Sequence, residues 1–273
     1  MSAENPEVGT SVATGPIVTN YHDVGTGTPV LLLHGSGPGV SAWANWRFAI
    51  GDLSSSFRMI APDLAGFGYS DTPADWAFGR DSWLQQVVDF MDAIGIEKAH
   101  VIGNSFGGSM ALALAIAYPE RVDRLVLMGS VGVPFELTDG LDAVWGYEPS
   151  VANMQAIMKV LAYDTSLISP ELIELRYQAS LRIQDHFSRM FPAPRQRWVD
   201  SMAHPEAAVR ALPHPTLIIH GRDDKVIPLS CSQTLLDWID NSQLHVFGRC
   251  GHWTQIEYRA EFAELVRDFL QAG

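Results

Sequence analysis

The stretch "HVIGNSFGGSMALALAIAYPERV", residues 100–122, decides the fold. A short apolar run enters Gly-Asn-Ser-Phe-Gly-Gly and then resumes as a long segment rich in alanine and leucine. The first run predicts a buried strand and the second a helix. Small residues at positions 103, 107 and 108 let a tight turn form between them, against both the sheet and the helix. The pattern therefore predicts a strained turn that presents Ser105.

Further apolar runs of four to six residues, each bounded by Gly, Pro or Asp, predict strands at 28–35, 57–66, 99–105, 124–130, 216–221 and 243–248. Helical patterns alternate with them, such as "RDSWLQQVVDFMDAIGI", for which Gly95 is the expected C-terminal cap. This alternation predicts an α/β fold with a doubly wound, mostly parallel sheet.

Residues 134–205 break the alternation, because they contain helical patterns and prolines but no convincing strand. We expect this segment to be a helical lid over the carboxyl edge of the sheet, where open α/β sheets bind their ligands. Residues 1–133 and 206–273 would then form the core. Disorder is expected only in residues 1–15, which are small, polar and rich in turn formers.

The charge of the chain limits its partners. Its 273 residues carry a formal net charge of -13, which repels nucleic-acid phosphates and anionic lipid surfaces. No secretory signal is visible, and the longest apolar runs are too short to span a bilayer. We therefore expect a cytoplasmic protein without nucleic-acid or membrane partners, whose two cysteines, Cys231 and Cys250, are both free.

The turn at Ser105 matches G-x-S-x-G, the pattern of a serine nucleophile between a strand and a helix. Such a serine needs a histidine base and an acid that orients it, in the chain order serine, acid, histidine. His252 follows the last predicted strand and is the candidate base, while spacing leaves Asp223 and Asp224 open as the acid. In the alternative interpretation, Ser105 only caps the helix.

A glycine-rich turn after the strand at 28–35 can direct a backbone N–H at a developing oxyanion. Ser36, in this turn, and Phe106, directly after Ser105, are therefore the predicted oxyanion donors. The turn does not have the spacing of a dinucleotide-binding loop, and no group of residues has zinc-ligand spacing. No cofactor or metal is expected. His34 and His220, each before a glycine at a strand end, are predicted to be structural hydrogen-bonding residues.

Over nearly its whole length the chain resembles the α/β-hydrolases, and more narrowly the meta-cleavage product hydrolases of bacterial aromatic degradation. The motifs that carry the resemblance are "HGSGPGVSAWANWR", "APDLAGFGYSD", "GNSFGG", "GLDAVWGYEPS", "FPAPRQRWVD", "HGRDDKVIPL" and "HVFGRCGHWTQIE". The chain is most similar to enzymes of the 2-hydroxymuconate semialdehyde hydrolase type. The resemblance implies hydrolysis of a carbon–carbon bond in a 2-hydroxy-6-oxo-2,4-dienoate, a small anionic substrate, without a cofactor.

The resemblance also implies roles for particular residues. It selects Asp224 as the acid of the triad. The polar pocket for the carboxylate and 2-hydroxyl end of the substrate would consist of Asn45, Asn104, Arg176 and Trp253. The subsite for the group on the ketone would be lined by Val131, Val199 and Ile227, whose branched side chains favour hydrogen or a small alkyl group.

Members of this family are oligomeric, so the resemblance further implies a homodimer or a larger homo-oligomer. Two other functions fit the same motifs. One is a carboxylesterase or thioesterase that uses the same Ser-Asp-His triad. The other is a ligand receptor that has kept the fold and does not use the triad for catalysis.

Overall fold

A computed structural model describes residues 5–272 and contains one eight-stranded sheet in this part of the chain. Its strands are β1 (Thr10–Thr14), β2 (Ile17–Val24), β3 (Pro29–Leu33), β4 (Arg58–Pro62), β5 (Ala99–Asn104), β6 (Val122–Met128), β7 (Thr216–Gly221) and β8 (Ser242–Phe247). They lie in the order β1-β2-β4-β3-β5-β6-β7-β8. The six strands from β3 to β8 are parallel, whereas β1 and β2 are antiparallel to their neighbours. The predicted α/β fold is confirmed, and each of the six predicted strands is present.

The helices that accompany the sheet are α1 (Ala42–Leu53), α2 (Arg80–Ala93), α3 (Phe106–Ala117), α4 (Asp139–Trp145), α5 (Val151–Leu161), α6 (Pro170–Arg182), α7 (Gln184–Met190), α8 (Gln196–Met202), α9 (Glu206–Arg210), α10 (Leu229–Trp238), α11 (Thr254–Glu257) and α12 (Arg259–Gln271). Short 3-10 turns lie at Pro119–Arg121 and Thr165–Leu167. Helix α2 ends where the sequence predicts, since Gly95 directly after its cap has φ +71°.

Apolar side chains cover both faces of the sheet. Alternate residues of β3 point in opposite directions, so that Leu31 and Leu33 join one buried cluster while Val30 and Leu32 join the other. Helices α2 and α3 pack in the first cluster, and α1 and α12 pack in the second. This two-sided burial explains why the parallel strands are continuous apolar runs in the sequence.

The first strands were not predicted. Thr10–Thr14 pairs with Ile17–Val24 through a turn at Gly15, which has φ +60°. The expectation of disorder in residues 1–15 is therefore wrong for residues 5–15, and residues 1–4 lie outside the described part of the chain. The reason is that this hairpin is held partly by buried polar contacts, such as the 2.7 Å hydrogen bond between the hydroxyls of Thr14 and Thr19. A hydropathy pattern does not register such contacts.

Every regular element between β6 and β7 is a helix, from α4 to α9. Residues of α4, α5 and α6 form part of the wall of a cavity at the carboxyl edge of the sheet. The division into a core of residues 1–133 and 206–273 and a lid of residues 134–205 stays a prediction. None of the helices within residues 5–272 combines the length and the apolar composition that a bilayer span requires.

The strand order brings the key loops together. β3 lies between β4 and β5, so the chain turns to opposite sides of β3 and opens a crevice at its carboxyl end. Ser36 follows β3 and Ser105 follows β5, which are neighbouring strands. The loops after β7 and β8 lie side by side in the same way.

Candidate active site

Ser105 lies at a sharp turn between β5 and α3. Its backbone is in an unusual conformation for a residue other than glycine, with φ 55° and ψ -117°. Such conformations cost of order 1–3 kcal/mol and cluster at functional sites. Three backbone hydrogen bonds hold the turn. The Ser105 N–H donates to the Met128 carbonyl at 2.8 Å, and the Ser105 carbonyl accepts from Gly108 at 2.9 Å and from Val131 at 3.1 Å.

The glycines around Ser105 are required by close packing. A Cβ at Gly107 would collide with the backbone oxygen of Leu33, and one at Gly103 would collide with Gly107. A Cβ at Gly108 would collide with the hydroxyl of Ser130. Helix α3 can therefore begin this close to the sheet only because these positions have no side chain.

Asp224 and His252 form a buried pair. The His252 Nδ1–H donates to Asp224 Oδ2 at 2.6 Å, which leaves Nε2 as the acceptor nitrogen of the imidazole. The other carboxylate oxygen of Asp224 accepts from the backbone N–H groups of Val226 at 2.7 Å and Ile227 at 3.0 Å. Burial by itself would raise the pKa of Asp224, but its interaction with His252 and these hydrogen bonds lower that pKa on balance. Asp224 is thus held as the carboxylate that orients the ring.

The neighbouring Asp223 points elsewhere. Its carboxylate accepts from the backbone N–H of Arg249 at 2.9 Å, and it is not part of the cavity wall. Of the two aspartates that spacing left open, the structure thus brings only Asp224 to the imidazole.

Ser105 and His252 face the same cavity. Among residues 5–272 no hydrogen bond joins the Ser105 hydroxyl to the imidazole. Such bonds are often long in free enzymes and tighten when a substrate binds. The positions are compatible with proton transfer from the hydroxyl to Nε2, which is the acceptor that the Asp224 contact leaves available.

The predicted oxyanion donors lie on neighbouring segments. Phe106 is the first residue of α3, so its N–H has no partner within the helix. Ser36 follows β3, and its hydroxyl accepts from the indole Nε1–H of Trp145 at 2.8 Å. Gly39, in the same loop, packs closely against α6, where a Cβ would lie 2.9 Å from the Ser180 nitrogen. The loop that carries Ser36 is therefore fixed by both α4 and α6.

Above these groups lies a cavity of about 380 Å³. Ser36, Asn45, Asn104, Ser105, Arg176, His252 and Trp253 all line it. Residues predicted from separate parts of the sequence therefore meet in one place. The remaining wall is mainly apolar and includes Leu141, Val144, Met154, Ile157, Leu172 and Leu175 from the helices between β6 and β7.

Two amides of the wall differ in what they bond. Asn45 Oδ1 accepts from the Gly35 N–H at 3.2 Å, whereas its Nδ2 has no hydrogen-bond partner among the described residues. Asn104 Nδ2 donates to the Met128 carbonyl at 3.3 Å. Gln255, which sequence reasoning missed, donates to the Asn45 carbonyl at 3.3 Å, and its Oε1 has no partner in the described chain. A buried amide group without a partner is rare and indicates a ligand position.

The predicted apolar subsite is not part of this wall. At most 1% of the surface of Val131, Val199 and Ile227 is exposed, since all three lie in the core cluster. None of the three lines the cavity. Val226, next to Ile227, does line it. The side chains that face the cavity from the helices were not singled out from the sequence, because a helix pattern shows which face is apolar but not which cavity it meets.

Sequence reasoning also missed three polar side chains. Glu7 and Arg47 both line the cavity, and Trp145 positions Ser36 through its indole N–H. Glu7 lies in the segment predicted to be disordered, and Arg47 has no local pattern that separates it from a solvated helix residue. The contact between Trp145 and Ser36 joins residues 109 positions apart, which a single sequence does not reveal.

The two histidines predicted to be structural are hydrogen-bonded in the interior. His34 Nε2 accepts from the Leu64 N–H at 2.9 Å, and burial lowers the pKa of His34 to about 4. His220 contacts Ser232 at 2.7 Å and the Ile227 carbonyl at 3.0 Å, behind Asp224. Cys231 and Cys250 are both buried and free, as predicted.

An α/β hydrolase combines a mostly parallel sheet, a strained serine turn and a histidine–aspartate pair, and this protein has all three features. The family profile described as alpha/beta hydrolase fold matches residues 28–258. The chain is 59% identical over 268 residues to the 2-hydroxymuconate semialdehyde hydrolase of Pseudomonas sp. (strain CF600), covering 97% of this chain and 95% of that protein. It is 57% identical over 274 residues to the 2-hydroxy-6-oxo-2,4-heptadienoate hydrolase of Pseudomonas putida, covering 100% and 99%.

A solved structure gives the same result. The meta-cleavage product hydrolase CumD from Pseudomonas fluorescens IP01, a mutant complexed with acetates, superposes with a TM-score of 0.96 at 54% identity, covering 97% of this chain and 98% of that one. The chain belongs to the α/β-hydrolase family and, within it, to the meta-cleavage product hydrolases.

Proposed function

We propose that this protein hydrolyses the carbon–carbon bond next to the ketone of a 2-hydroxy-6-oxo-2,4-dienoate of the 2-hydroxymuconate semialdehyde type. The products are 2-hydroxypenta-2,4-dienoate and formate or a short carboxylic acid. The observation that carries the proposal is that one cavity holds Ser105, His252 with its Asp224 partner, and arginine and amide side chains suited to a carboxylate. The relatives named above act on substrates of this class.

The anionic end of the substrate binds at the polar wall. In a protein of net charge -13 a carboxylate needs local cations and N–H donors. Arg176 carries five N–H groups and uses two of its nitrogens for protein contacts, with Gly39 and Glu7. Asn45, Asn104 and Trp253 complete the proposed pocket for the carboxylate and the 2-hydroxyl group.

The first chemical step is a proton shift. The 2-hydroxyl group loses its proton and C5 gains one, so that the dienol becomes a 2,6-diketone with a double bond between C3 and C4. His252 handles the proton, since it lines the cavity and its contact with Asp224 leaves Nε2 available. The new ketone at C2 is the electron sink that the later cleavage requires.

The second step is attack on the C6 carbonyl. The Ser105 hydroxyl adds to C6 and its proton passes to His252 Nε2. The oxyanion that forms accepts from the backbone N–H groups of Ser36 and Phe106. The strained turn presents Ser105 in the wall of the cavity, which supports Ser105 as the nucleophile.

Cleavage then separates C5 from C6. The bonding electron pair moves onto C5 and through the conjugated chain to the C2 oxygen, and protonation gives 2-hydroxypenta-2,4-dienoate. The C6 fragment remains as an ester of Ser105. A water activated by His252 hydrolyses this ester, releases the acid and restores the enzyme, so that one water is consumed in each cycle.

The group on the ketone is small in this proposal. The cavity of about 380 Å³ must hold the six-carbon dienoate together with that group. We propose that Val131, Val199 and Ile227 bound its subsite without lining the cavity themselves. We further propose that the protein is cytoplasmic and forms a homo-oligomer. Size-exclusion chromatography with light scattering would test the oligomeric state.

The decisive experiment is a panel of ring-fission products that carry hydrogen, methyl, isopropyl or phenyl on the ketone. Turnover is followed by the loss of the visible absorbance of the dienolate. We expect the hydrogen and methyl substrates to have the highest kcat/KM, and the Ser105→Ala variant to lose turnover by roughly a thousandfold or more.

An aryl ester such as 4-nitrophenyl acetate is measured in parallel. Faster turnover of the ester than of every dienoate would overturn the proposal in favour of an esterase. A Ser105→Ala variant with full activity would exclude a serine-dependent reaction altogether.

A further inference from the structure

Three charged side chains outside the triad line the cavity: Glu7, Arg47 and Arg176. They come from the segment before β1, from α1 and from α6 respectively. Which of these three side chains pair with each other sets the net charge that the cavity wall presents to a ligand. Arg176 belongs to the binding pocket proposed above, whereas Glu7 and Arg47 are not among the residues of that pocket.

The charge of Arg176 is already matched inside the protein. Its guanidinium forms an ion pair with Glu7, and both side chains are largely buried, with 13% and 8% of their surface exposed. The second oxygen of Glu7 accepts from the Ser41 hydroxyl at 2.8 Å. Both carboxylate oxygens of Glu7 are therefore occupied, and the pair contributes no net charge to the cavity.

Arg47 has no such partner. Its guanidinium donates one hydrogen bond, to the Ala44 carbonyl at 2.7 Å on its own helix. Among residues 5–272 no carboxylate lies within ion-pair distance of it. Burial and the nearby Arg176 lower the pKa of Arg47, and the Glu7 carboxylate offsets part of that effect. Two arginines of the wall thus share one carboxylate, which is paired with Arg176. A half-buried cation without an ion-pair partner of its own is costly, so its presence in a cavity wall indicates an anionic ligand.

We propose that Arg47 supplies the unmatched positive charge that binds the substrate carboxylate, and that Glu7 fixes the net charge of the wall at one by neutralising Arg176. The inference rests on the proposed function, because the carboxylate is that of the dienoate. The Asn45 amide, on the same helix as Arg47, offers a second unpaired donor to that carboxylate. One unmatched cation suits a substrate with one carboxylate.

Arg259 is a matched control for Arg47. Both guanidinium groups stack on the ring of Phe48, at 4.4 Å for Arg47 and 4.7 Å for Arg259. Arg259, however, forms two hydrogen bonds with the carboxylate of Asp52 and does not line the cavity. Arg47→Met and Arg259→Met thus each remove one guanidinium group from the same ring.

We expect Arg47→Met to raise KM for the dienoate by about 10-fold or more and to change kcat by less than about threefold, since the group binds substrate without acting on the reacting carbons. Arg259→Met should leave both constants unchanged. Arg47→Lys should restore part of the affinity because it keeps the charge but loses the planar guanidinium.

Binding is also measured without turnover, with hexa-2,4-dienoate (sorbate) and its uncharged methyl ester, by the quenching of tryptophan fluorescence. Trp43 and Trp253 line the cavity and report on its occupancy. Arg47→Met should weaken sorbate about 10-fold and leave methyl sorbate unchanged. An equal loss for both ligands, or for neither, would overturn the proposal.

Glu7→Gln tests the other half of the inference. The substituted amide would keep one acceptor oxygen, which can still accept from Arg176, but would remove the negative charge. Sorbate should therefore bind several-fold more tightly at low ionic strength. If Arg47→Met does not fold, as judged by circular dichroism, Glu7→Gln decides alone: unchanged or weaker sorbate binding contradicts the proposal. Failure of the wild-type chain to cleave any dienoate would overturn the proposed function but not the result with sorbate.

Discussion

The two sides of the cavity are built in different ways. On the catalytic side, which we define as Ser105, Asp224 and His252, each residue directly follows or lies a few positions after a strand of one parallel sheet. On the recognition side, defined as Glu7, Arg47 and Arg176, the residues come from a segment before the sheet and from two helices. Strand ends are fixed by the hydrogen bonds of the sheet, whereas the recognition side depends on contacts between side chains.

This difference indicates where the molecule tolerates change. The catalytic side is determined by backbone geometry, such as the φ of 55° at Ser105 and the N–H groups that hold Asp224. The recognition side depends on a few charges whose balance a single substitution can alter. We therefore expect the catalytic side to fail completely when disturbed and the recognition side to change in degree.

The largest effect should come from Asp224, the proposed acid of the triad. Asp224→Asn places an amide against His252 and favours the wrong tautomer of the ring, so kcat should fall by about 10⁴-fold. Asp223→Asn is the matched control, since Asp223 bonds the Arg249 backbone and lies outside the cavity wall. Steady-state kinetics on the dienoate measure both. Comparable losses in the two variants would contradict the assignment of Asp224.

The second effect concerns the turn that carries Ser105. Gly107→Ala would push a methyl group into the backbone of β3, and we expect it to lower the free energy of unfolding by about 3 kcal/mol. Gly51→Ala is the control, because nothing lies within 4 Å of that position in α1. There the same substitution should stabilise the protein by about 0.5–1 kcal/mol.

Urea denaturation followed by circular dichroism measures these two free energies. If Gly107→Ala were as stable as the wild type, the close packing of α3 against the sheet would not be what fixes Ser105.

The third prediction concerns pH on the recognition side. Burial raises the pKa of Asp63 to about 6, although Ala42, Tyr69 and Asn20 donate hydrogen bonds to its carboxylate. This pKa lies above the value of about 3.9 in the unfolded chain. Protonated Asp63 therefore contributes to the free energy of unfolding at low pH, and this contribution is lost as pH rises through 6. Asp63 anchors the start of α1, which carries Arg47.

Asp63→Asn removes this titration and serves as the reference for all other groups. The free energy of unfolding of the wild type minus that of the variant should fall by about 1.4 kcal/mol as pH rises from 5 to 7.5. Urea titrations across that range measure it. A difference that stays constant with pH, or rises, would contradict the raised pKa. Asp224 should not titrate in this range, since its pKa is lowered.

The smallest effect should come from Trp145, whose indole N–H bonds the Ser36 hydroxyl. Trp145→Phe keeps an aromatic ring to stack on Phe191 but removes that hydrogen bond, and we expect kcat to fall about fivefold. Trp198→Phe is the control, because Trp198 also packs on Phe191 while its N–H donates to the Pro192 carbonyl. If kcat fell equally in the two variants, the loss would come from packing against Phe191 and not from the hydrogen bond to Ser36.

Much of the catalytic side could be predicted from the sequence. Each parallel strand is a short apolar run, and each triad candidate follows such a run, so local patterns place Ser105 and His252 at one edge of the sheet. The choice between Asp223 and Asp224 could not be made from spacing. It depends on which carboxylate receives the N–H groups of residues 226 and 227, a contact that only the folded turn creates.

The recognition side was mostly beyond such patterns. The ion pair between Glu7 and Arg176 joins positions 169 residues apart, and neither residue has a local signal of its partner. Arg176 was identified only through the family resemblance, and Glu7 and Arg47 were missed. The β1–β2 hairpin was missed for a related reason, because its two strands are rich in polar residues and lack the continuous apolar run of the parallel strands.

The apolar wall of the cavity comes largely from α4, α5 and α6, while the chemistry comes from the ends of the strands. Leu141, Ile157, Leu172 and their neighbours can therefore exchange for larger or smaller side chains without touching a single hydrogen bond of the sheet. We therefore expect substitutions in these helices to change the size of the group that fits beside the ketone and to leave the strand-end residues in place. A mutant library for new substrates is best confined to these helices, with the three glycines around the nucleophile left as they are.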